Sequence, residues 1–359
     1  MLIKLILFAS AGTFMKSTLL ASAGTLWKSL LFIAAGSIAL VVAFVVFYAA
    51  IPILVRPFWR AVLFPHYRFR LVGVEKIPSE GPFVLASNHV SWIDGFILAA
   101  VCPRRIWFLS NADYTRSKLV NMLARRARLI PVPAKGPRAH REAIAAARGE
   151  LDMGRAFGIF PEAQLTRDGR LGTFLRGIEM ILRDRDHVPV IPVYIENMWG
   201  SIFSYSAGKF LGRLPETFRR EVVVVFGDHA FAPISTFTIR REVAAAAVVA
   251  LENRSSPPRS LEAIAKATDL TRWSHPEFGL LAVSTADFDD GIVRQLGMKP
   301  GSVGREAPGV ALFVVADDGT LLEADRVGRI EARIVGRPNR VNTRRRGRID
   351  REGFVYLEE

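Results

Sequence analysis

The sequence predicts an α/β fold with a mostly parallel central sheet flanked by helices, preceded by an N-terminal membrane helix or hairpin and followed by a small β-rich unit. Three observations support this. Short apolar runs alternate with helix-like stretches between about residues 61 and 232, as in strands that return through helices. Residues 30–55 are apolar and carry no charge. The last hundred residues or so place short apolar runs between turn-forming residues.

The apolar stretch at residues 30–55 is predicted to enter a membrane. As a helix rising about 1.5 Å per residue it exceeds the roughly 30 Å of bilayer hydrocarbon. Aromatic and cationic residues of the kind found at membrane interfaces flank it, namely Trp27 and Lys28 before it and Arg56, Trp59 and Arg60 after it. We therefore assign residues 1–60 to a membrane-anchoring segment.

Residues 1–27 carry a short repeat, Ala-Ser-Ala-Gly-Thr, at 9–13 and again at 21–25. Their lysines make a second full span doubtful, so we expect this part to lie in the interface or to form a hairpin with the main span. Lys16 interrupts the apolar run that a signal peptide needs, which argues against cleavage. The arginines after residue 55 favour a position of the following domain on the cytoplasmic face of the inner membrane, although lysines also precede the span.

Strands and helices are predicted in alternation after the anchor. A turn at 78–82 separates the first two strands. The predicted strands are 67–74, 83–87, 106–109, 129–132, 157–160, 188–195 and 222–226, and the clearest helices are 138–153, 175–183 and 238–251. We assign these elements to one domain at residues 61–252.

Turn formers at residues 253–258 mark a boundary, and residues 259–359 change character. Residues 299–304 and the apolar run 310–315, which leads into a turn at 317–319, predict small β-hairpins. This part is predicted to be a separate β-rich unit.

Composition limits the classes of partner. The chain has 48 Lys and Arg against 34 Asp and Glu, a net charge of +14, which favours anionic partners such as lipid headgroups, an acidic carrier protein or nucleic acid. Nucleic acid is not expected, because recognised motifs and interleaved aromatics are lacking. The single cysteine, Cys102, excludes an intrachain disulfide and is predicted to pack in the core. The histidines show no ligand spacing, so no metal is expected.

A histidine and an aspartate follow the predicted strand 83–87. A neutral imidazole can take a proton from an alcohol, while a carboxylate on its far nitrogen fixes the tautomer and stabilises the imidazolium. His89 and Asp94 can do this if the intervening turn folds Asp94 back onto His89. The pattern alone leaves a structural histidine open as the alternative.

Several blocks of sequence, in order, resemble the glycerolipid acyltransferase superfamily. Residues 88–95 are similar to its N-H-x-x-x-x-D block, residues 158–162 to its F-P-E-G-T-R block and residues 190–193 to its V-I-P-V strand. The resemblance covers residues 64–232. It implies a membrane enzyme that moves a fatty acyl group from an acyl-carrier-protein or coenzyme A thioester to the hydroxyl of a lysophospholipid or of glycerol phosphate.

The resemblance also implies roles for particular residues. His89 would be the general base, Asp94 its orienting partner, and Glu162 with its following loop an acceptor-binding element. Transfer would be direct, without an acyl-enzyme and without a cofactor beyond the thioester co-substrate. The residues agree, because no G-x-S-x-G nucleophile elbow occurs and Cys102 shows no sign of activation.

The sequence departs from the family at the positions expected to hold the acceptor phosphate. Ala163, Gln164 and Leu165 replace the usual Gly-Thr-Arg. Arg167 and Arg170 remain as phosphate-binding candidates, with solvated loop charges as the alternative. Ala134 occupies the place of an expected arginine, where Lys135 or Arg138 are possible substitutes, which weakens lysophosphatidic acid as the acceptor.

A further likeness is to bacterial bifunctional acyl carrier protein–phospholipid acyltransferases, which reacylate lysophosphatidylethanolamine and carry a fused AMP-forming ligase domain. Residues 299–305 and 347–354 look like late segments of such a ligase, but its phosphate-cradling loop is absent. Arg345 replaces the ribose-binding aspartate and can only donate hydrogen bonds. Residues 259–359 are therefore predicted to be a degenerate remnant without ligase activity.

Two functions remain open from the sequence. The leading hypothesis is a membrane-anchored lysophospholipid O-acyltransferase in phospholipid synthesis or reacylation. The alternative is a catalytically inactive relative that binds membranes or a partner, because two family blocks are altered. The arginine run at 340–348 suits anionic headgroups or an acidic carrier protein, with a solvated charge run as the alternative.

Overall fold

The computed structural model describes residues 2–112, 117–132, 136–208, 219–231, 233–255, 271–291 and 293–358. It divides into two compact units, Met1–Leu54 and Val55–Glu359. The chain begins with helix α1, Leu2–Leu63, which is continuous, so the hairpin alternative is wrong and the helix alternative is correct. Its stretch Leu31–Leu63 is long and apolar enough to cross a membrane.

A seven-stranded sheet forms the centre of the second unit. Its strands are β1 Tyr67–Val72, β2 Phe83–Ser87, β3 Ile106–Asn111, β4 Leu129–Val132, β5 Ala156–Ile159, β6 Val190–Glu196 and β7 Arg220–Phe226. They lie in the order β1-β7-β6-β2-β5-β3-β4, and all neighbouring pairs are parallel except β6 with β7. The predicted α/β fold with a mostly parallel sheet is confirmed.

Apolar side chains cover both faces of this sheet. The central strand β2 is buried at every position because helices pack on both faces. The flanking helices are α2 Asp94–Val101, α3 Lys118–Arg126, α4 Pro137–Asp152, α5 Gly177–Leu182 and α6 Thr236–Glu252. One core joins α2 to the sheet, and a second core joins the opposite face to α4, α5 and α6. Strand ends are thereby held rigidly.

The C-terminal part is β-rich, as predicted. It contains a three-stranded sheet, a two-stranded ribbon and a four-stranded antiparallel sheet. Their strands are β8 Arg272–His275, β9 Gly279–Val283, β10 Phe288–Asp289, β11 Arg294–Gln295, β12 Arg305–Glu306, β13 Val310–Val315, β14 Gly328–Ile334, β15 Val341–Ile349 and β16 Val355–Leu357. Ala311 and Phe313 join the core that contains α6. The boundary between 252 and 259 stays a prediction.

Candidate active site

The candidate site lies where parallel strands end. His89 follows β2 and Glu162 follows β5, and β2 and β5 are parallel neighbours in the centre of the sheet. The carboxyl ends of parallel strands open onto one edge, which is where ligands bind in open α/β sheets. The topology therefore brings the first and third sequence blocks together, although about 70 residues separate them in the chain.

His89 and Asp94 meet as predicted. Nδ1 of His89 lies 3.0 Å from Oδ2 of Asp94, which is fully buried at the first residue of α2. The same Oδ2 accepts the amide hydrogens of Val90 at 2.7 Å and Ser91 at 2.8 Å. The Ser91 hydroxyl donates to the other carboxylate oxygen. Because Oδ2 accepts only, it favours the tautomer with the proton on Nδ1, which leaves Nε2 as the basic nitrogen.

The neighbours of His89 fix its position. Asn88 is buried, and its side-chain amide forms two hydrogen bonds with the backbone of Ile195 on β6, at 3.1 Å and 2.8 Å. The ring of Phe160 stacks on the His89 imidazole, with centroids 4.1 Å apart. The His89 side chain remains 23% exposed, so the ring is supported on one side and reachable from another.

Both peptide groups of His89 are also bound. Its N–H donates to Oε1 of Glu162 at 2.9 Å, and its C=O accepts from the amide of Thr166 at 3.0 Å. Glu162 and Thr166 belong to one loop after β5, so this loop holds the histidine from two sides. The sequence analysis assigned no role to Asn88, Phe160 or Thr166, although the first two lie within recognised blocks.

Glu162 is buried, and its carboxylate oxygens accept hydrogen bonds from backbone amides rather than facing solvent. Its second oxygen accepts the amide hydrogen of Gly172 at 2.8 Å. A Cβ on Gly172 would lie 2.7 Å from that oxygen, so only glycine permits the approach. Burial raises the pKa of Glu162 to about 7, against the opposing effect of the two amide bonds. Glu162 therefore supports the backbone of His89, and its contact with the acceptor stays a prediction.

Arg170 is engaged by the C-terminal strands. Its guanidinium donates to the carbonyls of Val283, Arg305 and Glu306 at 2.7–2.9 Å. Burial lowers the pKa of Arg170, while the nearby carboxylates of Asp168 and Glu306 oppose this effect. These contacts use much of its donor capacity within the protein, and phosphate binding by Arg170 stays a prediction.

Arg167 lies in the same loop and has different neighbours. Its guanidinium carbon sits 3.4 Å from the centroid of the Tyr205 ring and its Nη2 lies 3.7 Å from Asp290. Its Nε is buried without a hydrogen-bond partner. The prediction that Arg167 binds phosphate stays open, since part of its donor capacity is unused.

The other two phosphate-binding candidates lie after β4. Lys135 falls outside the described residues, and Arg138 lies in the first turn of α4, where the structure describes the backbone only. In the sheet β4 is three strands from β2, which corresponds to about 14 Å at the usual strand spacing. A substrate contact from this end would have to reach across that distance.

Three further features from the sequence analysis can be placed in the structure, namely Cys102, the arginine run at 340–348 and the possibility of a metal site. Cys102 is buried after α2, and burial raises its pKa to about 11, which disfavours the thiolate. In the arginine run on β15, Arg346 and Arg348 pair with Asp317 and Asp325, and Arg345 is exposed. Within the described ranges no group of three His, Cys, Asp or Glu side chains is placed to hold a metal.

Comparison with known proteins identifies a family that part of this chain resembles. Residues 68–196 match the model of the Acyltransferase family. This stretch contains β1 through β6 together with His89, Asp94 and Glu162. The matches support a glycerolipid acyltransferase domain at residues 68–196.

Particular relatives agree with that class. The chain is 26% identical over 137 residues to the chloroplastic 1-acyl-sn-glycerol-3-phosphate acyltransferase LPAT1 of Arabidopsis thaliana, covering 38% of each protein. It is 28% identical over 130 residues to the 1-acyl-sn-glycerol-3-phosphate acyltransferase of Borreliella burgdorferi, covering 35% of this chain and 51% of the relative. The chain therefore spans between about two fifths and half of the length of these relatives.

Two solved structures show weaker similarity. The 1-acyl-sn-glycerophosphate (LPA) acyltransferase PlsC from Thermotoga maritima matches 56% of this chain and 80% of its own, with 22% identity and a TM-score of 0.43. The luciferase-like enzyme of the mealworm Zophobas morio matches 28% of each chain, with 22% identity and a TM-score of 0.22. Both TM-scores lie below 0.5, so the assignment rests on the sequence matches.

Proposed function

We propose that the protein is a membrane-anchored O-acyltransferase that moves a fatty acyl group from an acyl-carrier-protein or coenzyme A thioester to the free hydroxyl of a lysophospholipid. The observation that carries this proposal is the 3.0 Å contact between His89 and Asp94 at the end of β2, inside the segment that matches the acyltransferase family. The alternative of an inactive relative is less well supported, because it gives no reason for this contact.

In the proposed reaction the hydroxyl of the acceptor is the nucleophile. Nε2 of His89 takes the hydroxyl proton as the oxygen attacks the thioester carbonyl carbon. Asp94, which accepts from Nδ1, stabilises the imidazolium that forms. The carbon–sulfur bond then breaks, and the departing thiolate takes the proton from Nε2. No covalent acyl-enzyme forms, and the cycle returns the neutral imidazole.

The attack turns the thioester carbonyl oxygen into an oxyanion. The hydrogen-bond donors that stabilise it must come from outside the His89 turn. The amides of Val90 and Ser91 donate to Asp94, and the amide of His89 donates to Glu162. These three backbone groups are therefore occupied, and a basic or polar side chain must approach the thioester oxygen from another element.

We propose Arg167, with Lys135 and Arg138, as candidates for the acceptor phosphate. Arg167 has an unpaired buried Nε, and in the sequence Lys135 and Arg138 come soon after strand β4, which is parallel to the strands that precede His89 and Glu162. Arginine suits a phosphate because its donors form two parallel bonds. Glu162 and Arg170 are not included, since their described contacts are to the backbone of the protein itself.

The membrane location belongs to the same proposal. The helix stretch Leu31–Leu63 meets the length and hydropathy expected of a membrane span, and lysophospholipids reside in membranes. The cationic residues Arg56 and Arg60 after the apolar part favour a domain on the cytoplasmic face of the inner membrane.

An assay of acyl transfer tests the proposal. The full chain in detergent or liposomes is offered acyl-carrier-protein and coenzyme A thioesters separately, each with a panel that includes lysophosphatidylethanolamine and lysophosphatidic acid. We expect one pairing to give the diacyl product, with turnover reduced by at least about 10³-fold in His89→Ala and strongly reduced in Asp94→Asn.

A matched control is the exposed His187, whose replacement by alanine should leave turnover unchanged. Near-normal turnover in His89→Ala would refute the mechanism. Absence of product from every pairing, in protein shown to be folded, would favour the inactive relative instead.

A further inference from the structure

The loop after β5 that holds His89 is itself held by the β-rich C-terminal part of the chain, which contains strands β8 to β16. Gln295, on the short strand β11, accepts the amide hydrogen of Arg167 through Oε1 at 2.8 Å. Its Nε2 donates to the carbonyl of Leu165 at 2.9 Å. One side-chain amide thus binds the peptide groups on both sides of Thr166, and the Thr166 amide in turn donates to the His89 carbonyl at 3.0 Å.

We propose that Gln295 is a positioning residue for His89, acting through the peptide groups around Thr166. This inference rests on the proposed function and adds to it. It assigns the β-rich C-terminal unit, whose ligase-like features are degraded, the task of holding the loop after β5 in place. The loop lacks the family's usual Gly-Thr-Arg, and its peptide groups at Leu165 and Arg167 are bound by Gln295 from outside the loop.

Other contacts between the same two parts agree with this role. The Thr285 hydroxyl donates to Asp168 at 3.1 Å, and the Arg305 guanidinium donates to the Thr173 hydroxyl at 2.9 Å. Arg170 binds three carbonyls of the C-terminal strands at 2.7–2.9 Å. The loop from Asp168 to Thr173 is therefore bound along its length.

Gln295 differs from these other contacts in its distance from the reacting group. Only the Thr166 peptide stands between its side chain and the His89 backbone, and Thr166 is 2% exposed. A buried peptide that loses its partner shifts to find another, because an unpaired buried N–H or C=O is unfavourable. Since Thr166 contacts His89 directly, such a shift moves the catalytic imidazole, and small displacements of a reacting group lower the rate steeply.

The test replaces Gln295 with methionine, which has nearly the same shape and no amide. We expect Gln295→Met to lower kcat about tenfold while the KM values for donor and acceptor stay within about twofold, because the chemistry and not the binding depends on His89. Gln295→Glu keeps the acceptor for Arg167 and loses the donor to Leu165, so its kcat should lie between those of the wild type and of Gln295→Met. Arg294→Met, at the exposed neighbouring position, is the matched control and should keep the wild-type kcat.

A second measurement does not depend on activity. In protein labelled with ¹⁵N-histidine, the signal missing from His89→Ala identifies the His89 ring, and its two nitrogen shifts report the tautomer. We expect a single Nδ1–H tautomer in the wild type and in Arg294→Met, and an averaged or broadened signal in Gln295→Met.

The outcomes separate the two proposals. If the wild type transfers no acyl group but the His89 signal changes as described, the proposed function fails and the positioning role stands. An unchanged kcat and an unchanged His89 signal in folded Gln295→Met would overturn the positioning role. If Gln295→Met does not fold, kcat and the His89 signal are measured in Gln295→Glu instead. Wild-type values of both in Gln295→Glu would overturn the positioning role.

Discussion

Glu162 carries a buried carboxyl group beside the turn that contains His89. Burial raises its pKa to about 7, well above its value in the unfolded chain near 4.5. A carboxyl group with a raised folded-state pKa contributes stability that is complete below about pH 4.5 and is lost as the pH rises through about 7. Glu162→Gln removes this titration. We expect the free energy of unfolding of the wild type, relative to Glu162→Gln, to fall by about 3 kcal/mol between about pH 4.5 and 8.

The measurement is chemical denaturation of the full chain in detergent at a series of pH values. Glu80→Gln serves as the control, because Glu80 is exposed and its replacement should leave the pH dependence as in the wild type. A difference between wild type and Glu162→Gln that stays constant with pH would contradict a raised pKa at Glu162.

Ala163 adopts a backbone conformation that suits glycine. Its φ is +53°, in the left-handed region, where a Cβ is disfavoured. The residue is exposed, so removal of its methyl group leaves no cavity. We expect Ala163→Gly to raise the free energy of unfolding by about 0.5–1 kcal/mol, because relief of strain exceeds the added freedom of the unfolded chain. A denaturation midpoint at or below that of the wild type would contradict this.

The sequence indicated His89 and Asp94 because the two lie in one short turn, and local geometry decides their contact. Gln295 could not be found in that way, since 128 residues separate it from Arg167. Its contact with the loop depends on how the C-terminal unit packs, which no local pattern encodes. The contacts of Arg170 with the C-terminal strands could not be predicted either, because these partners are distant in the sequence.

At the scale of elements, the last turns of α1 dock on the helix that carries Asp94. Trp59 stacks on Phe96 of α2 with ring centroids 3.9 Å apart. Arg60 donates to the carbonyl of Ala100 at 3.1 Å, near the C-terminal end of α2, where the helix dipole favours a cation. The aromatic and cationic residues that the sequence assigned to a membrane interface therefore also bind the catalytic domain.

This docking predicts a loss of stability on truncation of Trp59. We expect Trp59→Ala to lower the free energy of unfolding by about 2 kcal/mol, because a partly buried ring loses its packing and its stacked partner. The neighbouring Phe58 is 56% exposed, so Phe58→Ala is the matched control with a small expected effect. Denaturation followed by near-ultraviolet circular dichroism measures both, and equal losses would show that α1 is not docked through Trp59.

Elements with strong apolar patterns were predicted well, and their arrangement was not. The strands at 83–87 and 129–132 have the bounds that the sequence indicated, and the other predicted strands differ by one or two residues at one or both ends. The helices α2 and α3 were not among the helices that the sequence indicated; α2 is apolar at nearly every position, so it has no amphipathic period. Strands β1 and β2 follow one another in the chain but lie three places apart in the sheet, because β7 and β6 intervene.

At the scale of the whole molecule, the C-terminal sheet shares a core with the acyltransferase fold. Phe313 on β13 is 6% exposed and belongs to the same apolar cluster as Val243 of α6 and Val84 of β2. Residues Val55–Glu359 form one compact unit. A core shared in this way couples the stability of the parts on either side of it, since neither side can lose the contact alone.

This coupling predicts how the unit unfolds. We expect one cooperative transition for residues 55–359 in the full chain, seen at the same denaturant concentration by circular dichroism and by tryptophan fluorescence. Phe313→Ala should lower the free energy of unfolding by about 3–4 kcal/mol, the usual range for a buried phenylalanine, and should shift both signals together. Leu321→Ala is the matched control in the same segment, because Leu321 is 42% exposed and its truncation should change stability little. Two separate transitions, of which Phe313→Ala moves only one, would mean that residues 259–359 fold as an independent domain and that their contact with the loop after β5 forms only after folding.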